Sequence, residues 1–116
     1  MQELINRQWN QFITDVEKAE QRLRTYVARF ILTVQKGQID RQEAVNFIRS
    51  IPNVTTVTKE AEGTDQPDYF KALFSIKFVL EPYEDLNTYI IRVLKKDLQK
   101  IKGIRVNSYK GVEELD

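Results

Sequence analysis

The chain contains no cysteine and no histidine, and these two absences remove more chemistry than any residue present supplies. Without cysteine there is no disulfide, no thiolate nucleophile and no soft metal ligand, so the fold rests on packing alone and suits a reducing compartment. Without histidine the commonest general base and a principal transition-metal ligand are gone. Glycine is scarce, with four residues standing apart at positions 37, 63, 103 and 111. They form no GxxxxGK[ST], GxGxxG or GxSxG pattern, which disfavours a phosphate-cradling loop and a hydrolase elbow. Charge of one sign is also not in excess: 18 Lys and Arg against 17 Asp and Glu leave a net charge of +1. No whole-molecule field therefore steers the protein onto nucleic acid or an anionic membrane. Long hydrophobic runs are missing as well. The most apolar segment, Phe70 to Leu80, is broken by Lys71 and Lys77, and Met1 to Arg7 hold no basic leader followed by an apolar stretch, so neither export nor membrane spanning is expected.

What is present is ordinary for one globular core: 116 residues, 41% hydrophobic and 30% charged, a size at which two separate cores would each be small. Ile5, Trp9, Phe12, Ile13, Val16 and Leu23 recur at helical spacing, interrupted only by Glu20, and predict an amphipathic helix over residues 3 to 23. In the next stretch Tyr26, Ala28, Phe30, Leu32 and Val34 alternate, and the β-branched and aromatic content favours a strand. Leu23, Val27, Phe30, Ile31 and Val34 also keep helical spacing, so one helix running to Gln35 is the competing reading.

Gly37 turns the chain. Asp40 and Glu43 then form a capping-box pair, with Ile39 and Ala44 at staple positions, and start a short helix presenting Ala44, Phe47, Ile48 and Ile51 inward. Pro52 ends it. Val54 to Ala61 predicts a strand and Glu62 to Asp68 a loop. Phe70, Ala72, Phe74, Ile76, Phe78 and Leu80 then alternate strictly against Tyr69, Lys71, Leu73, Ser75, Lys77 and Val79, which marks a strand with one core face. After Pro82, the stripe Leu86, Tyr89, Ile90, Val93, Leu94, Leu98 and Ile101 predicts a helix closed at Gly103. A last strand covers Ile104 to Tyr109, and Val112 to Asp116 read as an acidic tail.

The expected organisation is an N-terminal amphipathic helix over residues 1–24 and an α+β domain over residues 25–116. Strand, helix, strand, strand, helix, strand is the order of the split βαβ arrangement. With this order, Ile51-Pro-Asn-Val-Thr-Thr-Val57 and Ile101-Lys-Gly-Ile-Arg-Val106 resemble the two helix-to-strand turns of the ferredoxin-like fold, over about residues 25 to 110. The resemblance implies one antiparallel sheet with two helices on one face and the N-terminal helix as an addition. It implies no function, since that fold hosts enzymes, nucleic-acid binders and assembly modules alike. The Ile-Pro-Asn-Val-Thr turn and the Ile-Arg-Val ending are also similar to those of small uncharacterised tailed-phage proteins. That similarity implies a structural or accessory role, with the cytoplasm or the virion as location.

Function is expected on the sheet face opposite the helices, which alternation lines with Arg29, Ile31 and Thr33, with Lys71, Leu73, Ser75, Lys77 and Val79, and with Arg105, Asn107 and Tyr109. Burying a large apolar side chain is worth about 1.5–3 kcal/mol, so the stripe of the first helix needs a cover. Its own sheet and a second copy are both available. Trp9, Phe12, Ile13, Val16, Ile31 and Leu73 are the expected protein-interface residues of a non-catalytic, self-associating module. The alternative is RNA or single-stranded DNA bound by Arg92, Lys95, Lys96, Lys102 and Arg105 near the C-terminus, though lysines off an apolar stripe also make an ordinary solvated helix face.

Two enzyme and binding classes that share the architecture are not supported. The turn Gln35 to Asp40 lacks the glycine- and arginine-bearing phosphate loop of acylphosphatases, and where RNA recognition motifs stack bases on aromatics of the first and third strands, the open face offers Lys71, Leu73 and Ser75 with Tyr69 only at the edge. The acids Glu81, Glu84, Asp85, Asp65 and Asp68 have no EF-hand spacing. No catalytic residue, cofactor or metal is therefore expected.

Overall fold

The structure is a computed structural model and describes residues 22–115. The helix expected over residues 3–23, with Trp9, Phe12, Ile13 and Val16, lies almost wholly outside the described residues. Four strands and two helices follow in the order β1 (Arg24–Gln35), α1 (Arg41–Arg49), β2 (Val54–Asp65), β3 (Tyr69–Leu80), α2 (Leu86–Arg92) and β4 (Ile104–Leu115). The turn after Arg92 continues α2 as a π-helix, Val93–Asp97, in which the Leu98 amide reaches back to the Val93 carbonyl at 2.9 Å. Residues 24 to 35 are a strand, so the chain before Gly37 is not one long helix.

The strands form one antiparallel sheet in the order β2-β3-β1-β4. Each helix thus joins two strands separated by a third: β3 lies between β1 and β2, and β1 lies between β3 and β4. Both helices cover the same face. Ala44 and Ile48 of α1, and Tyr89, Ile90, Val93 and Leu98 of α2 and its continuation, share one cluster with the even-numbered residues of β1 and β3. Phe30, Phe70, Phe74 and Phe78 are fully buried there. The Phe78 ring stacks on Tyr26 at 5.6 Å and meets Tyr89 at 4.5 Å, distances at which aromatic pairs add to plain area burial.

Local chemistry explains where the elements begin and end. Asp40 caps α1 by accepting from the Glu43 amide at 2.7 Å, and Glu43 reaches back to the Asp40 amide. The Glu43 amide, donating to it, holds the Asp40 carboxyl below its ordinary range. Asp85 caps α2 through Thr88 in the same way. After Pro52, Asn53 takes φ 74°, a left-handed conformation that asparagine tolerates better than most residues. Its side-chain amide donates to the Val79 carbonyl at 2.8 Å and to Glu84 Oε1 at 2.9 Å, so this turn ties the end of β3 to the approach to α2.

Four features differ from the expectation. β2 continues past Ala61 to Asp65, where a loop was expected. As an edge strand it tolerates polar residues, and three register shifts, around Thr55, Glu60 and Gly63, absorb the extra length. β4 runs to Leu115 rather than ending at Tyr109, because Gly111, at φ 103°, takes up a bulge opposite Arg29 and lets Val112 pair with Ala28. A second shift at Asn107 changes the phase of β4. Tyr109 therefore does not lie on the open face but pairs with Phe30, ring to ring at 5.3 Å, on the helix side. Finally, Phe47 is 49% exposed instead of turned inward. Ala44, Ile48 and Ile51 fill the buried line of α1, which leaves Phe47 on the rim of the groove toward the end of α2.

Candidate interaction surface

The face away from the helices is built by the odd positions of β1 and β3 and by the residues that register places beside them. Arg29 lies near its middle. From β1 its guanidinium pairs with Glu113 on one edge strand at 3.1 Å and with Glu60 on the other at 3.6 Å. To reach Glu60 it must pass over β3, where the residue opposite is Ser75. Ser75 is only 7% exposed and its hydroxyl has no hydrogen-bond partner. A small side chain there lets the arginine lie flat across the sheet. Such half-exposed pairs are worth little individually, about 0–1 kcal/mol, but they fix the position of a cation in the middle of the face.

On one side of Arg29 the surface is apolar. Ile31 and Leu73 are directly opposed in register and half-buried, and Ala61 lies opposite Leu73 on β2. With Gly63 they line a shallow depression of about 330 Å³, roomy enough to receive one large side chain. The glycine and alanine of β2 leave this space, since bulkier residues would fill it. Beyond this, at the end of β1, the surface turns polar. Thr33 is opposite Lys71 on β3 and opposite Arg105 on β4, so the three residues form one row across the sheet. They border a concavity of about 840 Å³ that also includes Gln35, Asp68, Tyr69 and Asn107.

The expected nucleic-acid residues are not brought together. Arg92 folds back on α2, with its guanidinium 5.1 Å from the Tyr89 ring centre and its Nε 3.3 Å from Asp97. Arg105 is on the open sheet face, opposite Thr33, whereas Lys95 and Lys96 belong to the helix layer and are exposed. Lys102 is exposed in the turn before β4. The run that is compact in sequence is divided between two faces.

Three of the five acids considered for a cation have other work. Glu84 accepts from Asn53 and from the Glu81 amide, Asp85 caps α2, and Asp65 pairs with Lys36 and Arg41. Among the described residues no group of three or more acids is placed to hold a metal ion, and no helix is long and apolar enough to cross a membrane. The strongest acid perturbation is at Glu62, whose carboxyl is pulled down to about 2 by hydrogen bonds from Arg41 and Lys59. Arg41 is in turn stacked over Phe70 at 4.4 Å. This cluster clamps α1 to the far half of β2.

Sequence alternation places Ile31, Leu73, Lys71, Thr33 and Arg105 on one face. That Lys71 and Arg105 flank the same threonine depends on strand register, which no local signal carries. The chain matches no known protein-family model and no curated protein.

Proposed function

We propose that the protein is a non-catalytic interaction module that self-associates, the apolar stripe of residues 5 to 16 from one copy packing into the open sheet face of another. The observation that supports this reading is the apolar depression around Ile31 and Leu73 on the face the helices leave uncovered. An aromatic such as Trp9 or Phe12 is the kind of side chain it would accept. We read the architecture as ferredoxin-like, two βαβ units each split by a strand of the other, and an assembly part is what the similarity to small tailed-phage proteins implies.

Two considerations favour a second copy over the chain's own leading segment. Folding back onto the same sheet needs a tight reversal just before β1, yet residues 16 to 36 contain no Gly, Pro, Asn or Asp, the residues that build such turns. Leu23, which continues the stripe, is 58% exposed at the entrance to β1. The edges are also poor alternatives for association. β2 is shifted in register three times and β4 twice, and both carry charges, the usual devices against edge-to-edge pairing.

Light scattering across a wide concentration range tests the proposal. A defined oligomer is expected, converting to monomer in Trp9→Ala/Phe12→Ala and in Leu73→Lys. A wild-type chain that stays monomeric at high concentration rules the proposal out. The second reading, a nucleic-acid backbone bound at exposed Lys95, Lys96 and Lys102, calls for salt-dependent binding weakened by neutralising those three lysines. Absence of binding at low salt removes it.

A further inference from the structure

We infer that the concavity at the end of the open face, bounded by Lys71, Thr33 and Arg105, binds a small organic phosphate of about mononucleotide size. Three features point there. The first is charge. Lys71 and Arg105 approach from strands on either side of β1, opposite the same Thr33, with backbones about 10 Å apart given a strand spacing near 4.8 Å. Their side chains are long enough to converge on one anion between them. Among the described residues neither forms an ion pair, while Arg29 on the same face forms two and Lys36 nearby forms one.

The second is hydrogen-bond polarity. The Thr33 hydroxyl donates to the Asn107 side-chain carbonyl, so Asn107 keeps its two N–H donors for the concavity. Gln38 donates to the side-chain carbonyl of Gln35 at 2.8 Å, which leaves Gln35 in the same state. With the Asn107 and Gln35 carbonyls engaged internally, the Gln38 carbonyl the remaining amide acceptor and two cations alongside, donors outnumber acceptors in the lining. The complementary ligand is rich in acceptors, and phosphate oxygens meet arginine and lysine with charge-assisted bonds. The third is size and composition. A volume of about 840 Å³ falls within the ordinary range of small-molecule sites. The concavity also holds Asp68, an acceptor, and Tyr69, a half-buried ring. Inorganic phosphate uses neither. A phosphate attached to a hydroxylated or planar group uses both. Asn107, two residues after Arg105, shares its face by plain alternation, and the bulge there shifts only the residues that follow, leaving the pairing of Thr33 intact.

This inference does not depend on self-association: Lys71 borders both the concavity and the apolar depression, but Thr33, Arg105 and Asn107 line the concavity alone. Calorimetric titration of the full chain with adenosine monophosphate, pyrophosphate and inorganic phosphate is the test, combined with backbone NMR shifts of the wild-type protein. Saturable binding is expected for the nucleotide, weakened about tenfold or more in Lys71→Gln and in Arg105→Gln, and unchanged in Lys95→Gln/Lys96→Gln. Shifts should centre on Thr33, Lys71, Arg105 and Asn107, a readout that holds even if a variant folds poorly. No saturable binding at millimolar ligand overturns the assignment, as does equal weakening in the helix variant or shifts confined to α2. Inorganic phosphate binding as tightly as the nucleotide overturns the organic part of it.

Discussion

Gly103→Ala separates two costs that usually travel together. Gly103 has φ 91°, and a Cβ built on it would sit 2.8 Å from Ile39 Cγ2 and 3.1 Å from Gln38 Cβ. The backbone conformation alone costs an alanine about 1–2 kcal/mol. The close approach adds to it: Ile39 is buried, with the chain on one side anchored through the Asp40 cap and on the other through Gln35, whose amide donates to the Gly103 carbonyl at 2.8 Å. Forcing a methyl into a packed site of this kind costs about 1–3 kcal/mol, so the total expected is about 2–5 kcal/mol. That is a large fraction of the ~5–15 kcal/mol by which domains are stable. Gly111 provides the control. It has φ 103° but nothing within 4 Å of its added Cβ, so Gly111→Ala should show the backbone cost alone. Urea denaturation of the two variants reads the difference directly, and a variant at Gly37, which has neither feature, should be close to wild type. Equal losses at positions 103 and 111 would refute the packing argument, and a neutral Gly111→Ala would refute the backbone one.

Asn53→Ala should cost about 2–4 kcal/mol by urea titration, since it loses both side-chain hydrogen bonds and the tolerance for positive φ. Asn53→Gly, which keeps the backbone freedom, should lose roughly half as much. Glu62 has its carboxyl lowered from an ordinary 4.5 to about 2 by Arg41 and Lys59. Its contribution is therefore present above pH 4.5 and disappears as pH falls toward 2. Stability measured through that window at low salt should flatten in Glu62→Gln, and an unchanged slope would count against the clamp. Burial raises the Tyr89 phenol well above its usual 10, so its contribution is complete below pH 10 and is lost as pH climbs beyond it. Tyr89→Phe should soften alkaline unfolding above pH 10. At neutral pH it should cost about 1–2 kcal/mol for the lost 2.7 Å bond to the Pro52 carbonyl.

Much of the architecture is legible in residue order. The capping pair Asp40 and Glu43, the stop at Pro52 and the strict alternation of Phe70 to Leu80 are local signals. Each acts over a few residues by sterics or a short-range hydrogen bond, and the structure contains them all. Residues 24 to 35 satisfied both helical and strand spacing, and pairing with β3 and β4 on both sides decided for the strand. β-branched and aromatic preference had leaned the same way, but only weakly.

What the tertiary structure alone decided is which side chains meet. A bulge adds one residue and reverses every orientation after it, so Tyr109 went to the core side without any mark in the sequence around it, while Asn107, ahead of the change of phase, stayed on the open face where alternation puts it. Arg92 and Arg105 look like neighbours in a basic run, yet one folds onto a helix and the other stands on the opposite side of the sheet. Lys71 and Arg105 are 34 positions apart and flank the same threonine. Local propensity acts within a turn or a strand, whereas register is settled by the summed burial and hydrogen bonding of whole strands. Composition and order therefore determined the elements and the class of fold, and only the assembled sheet determined the site.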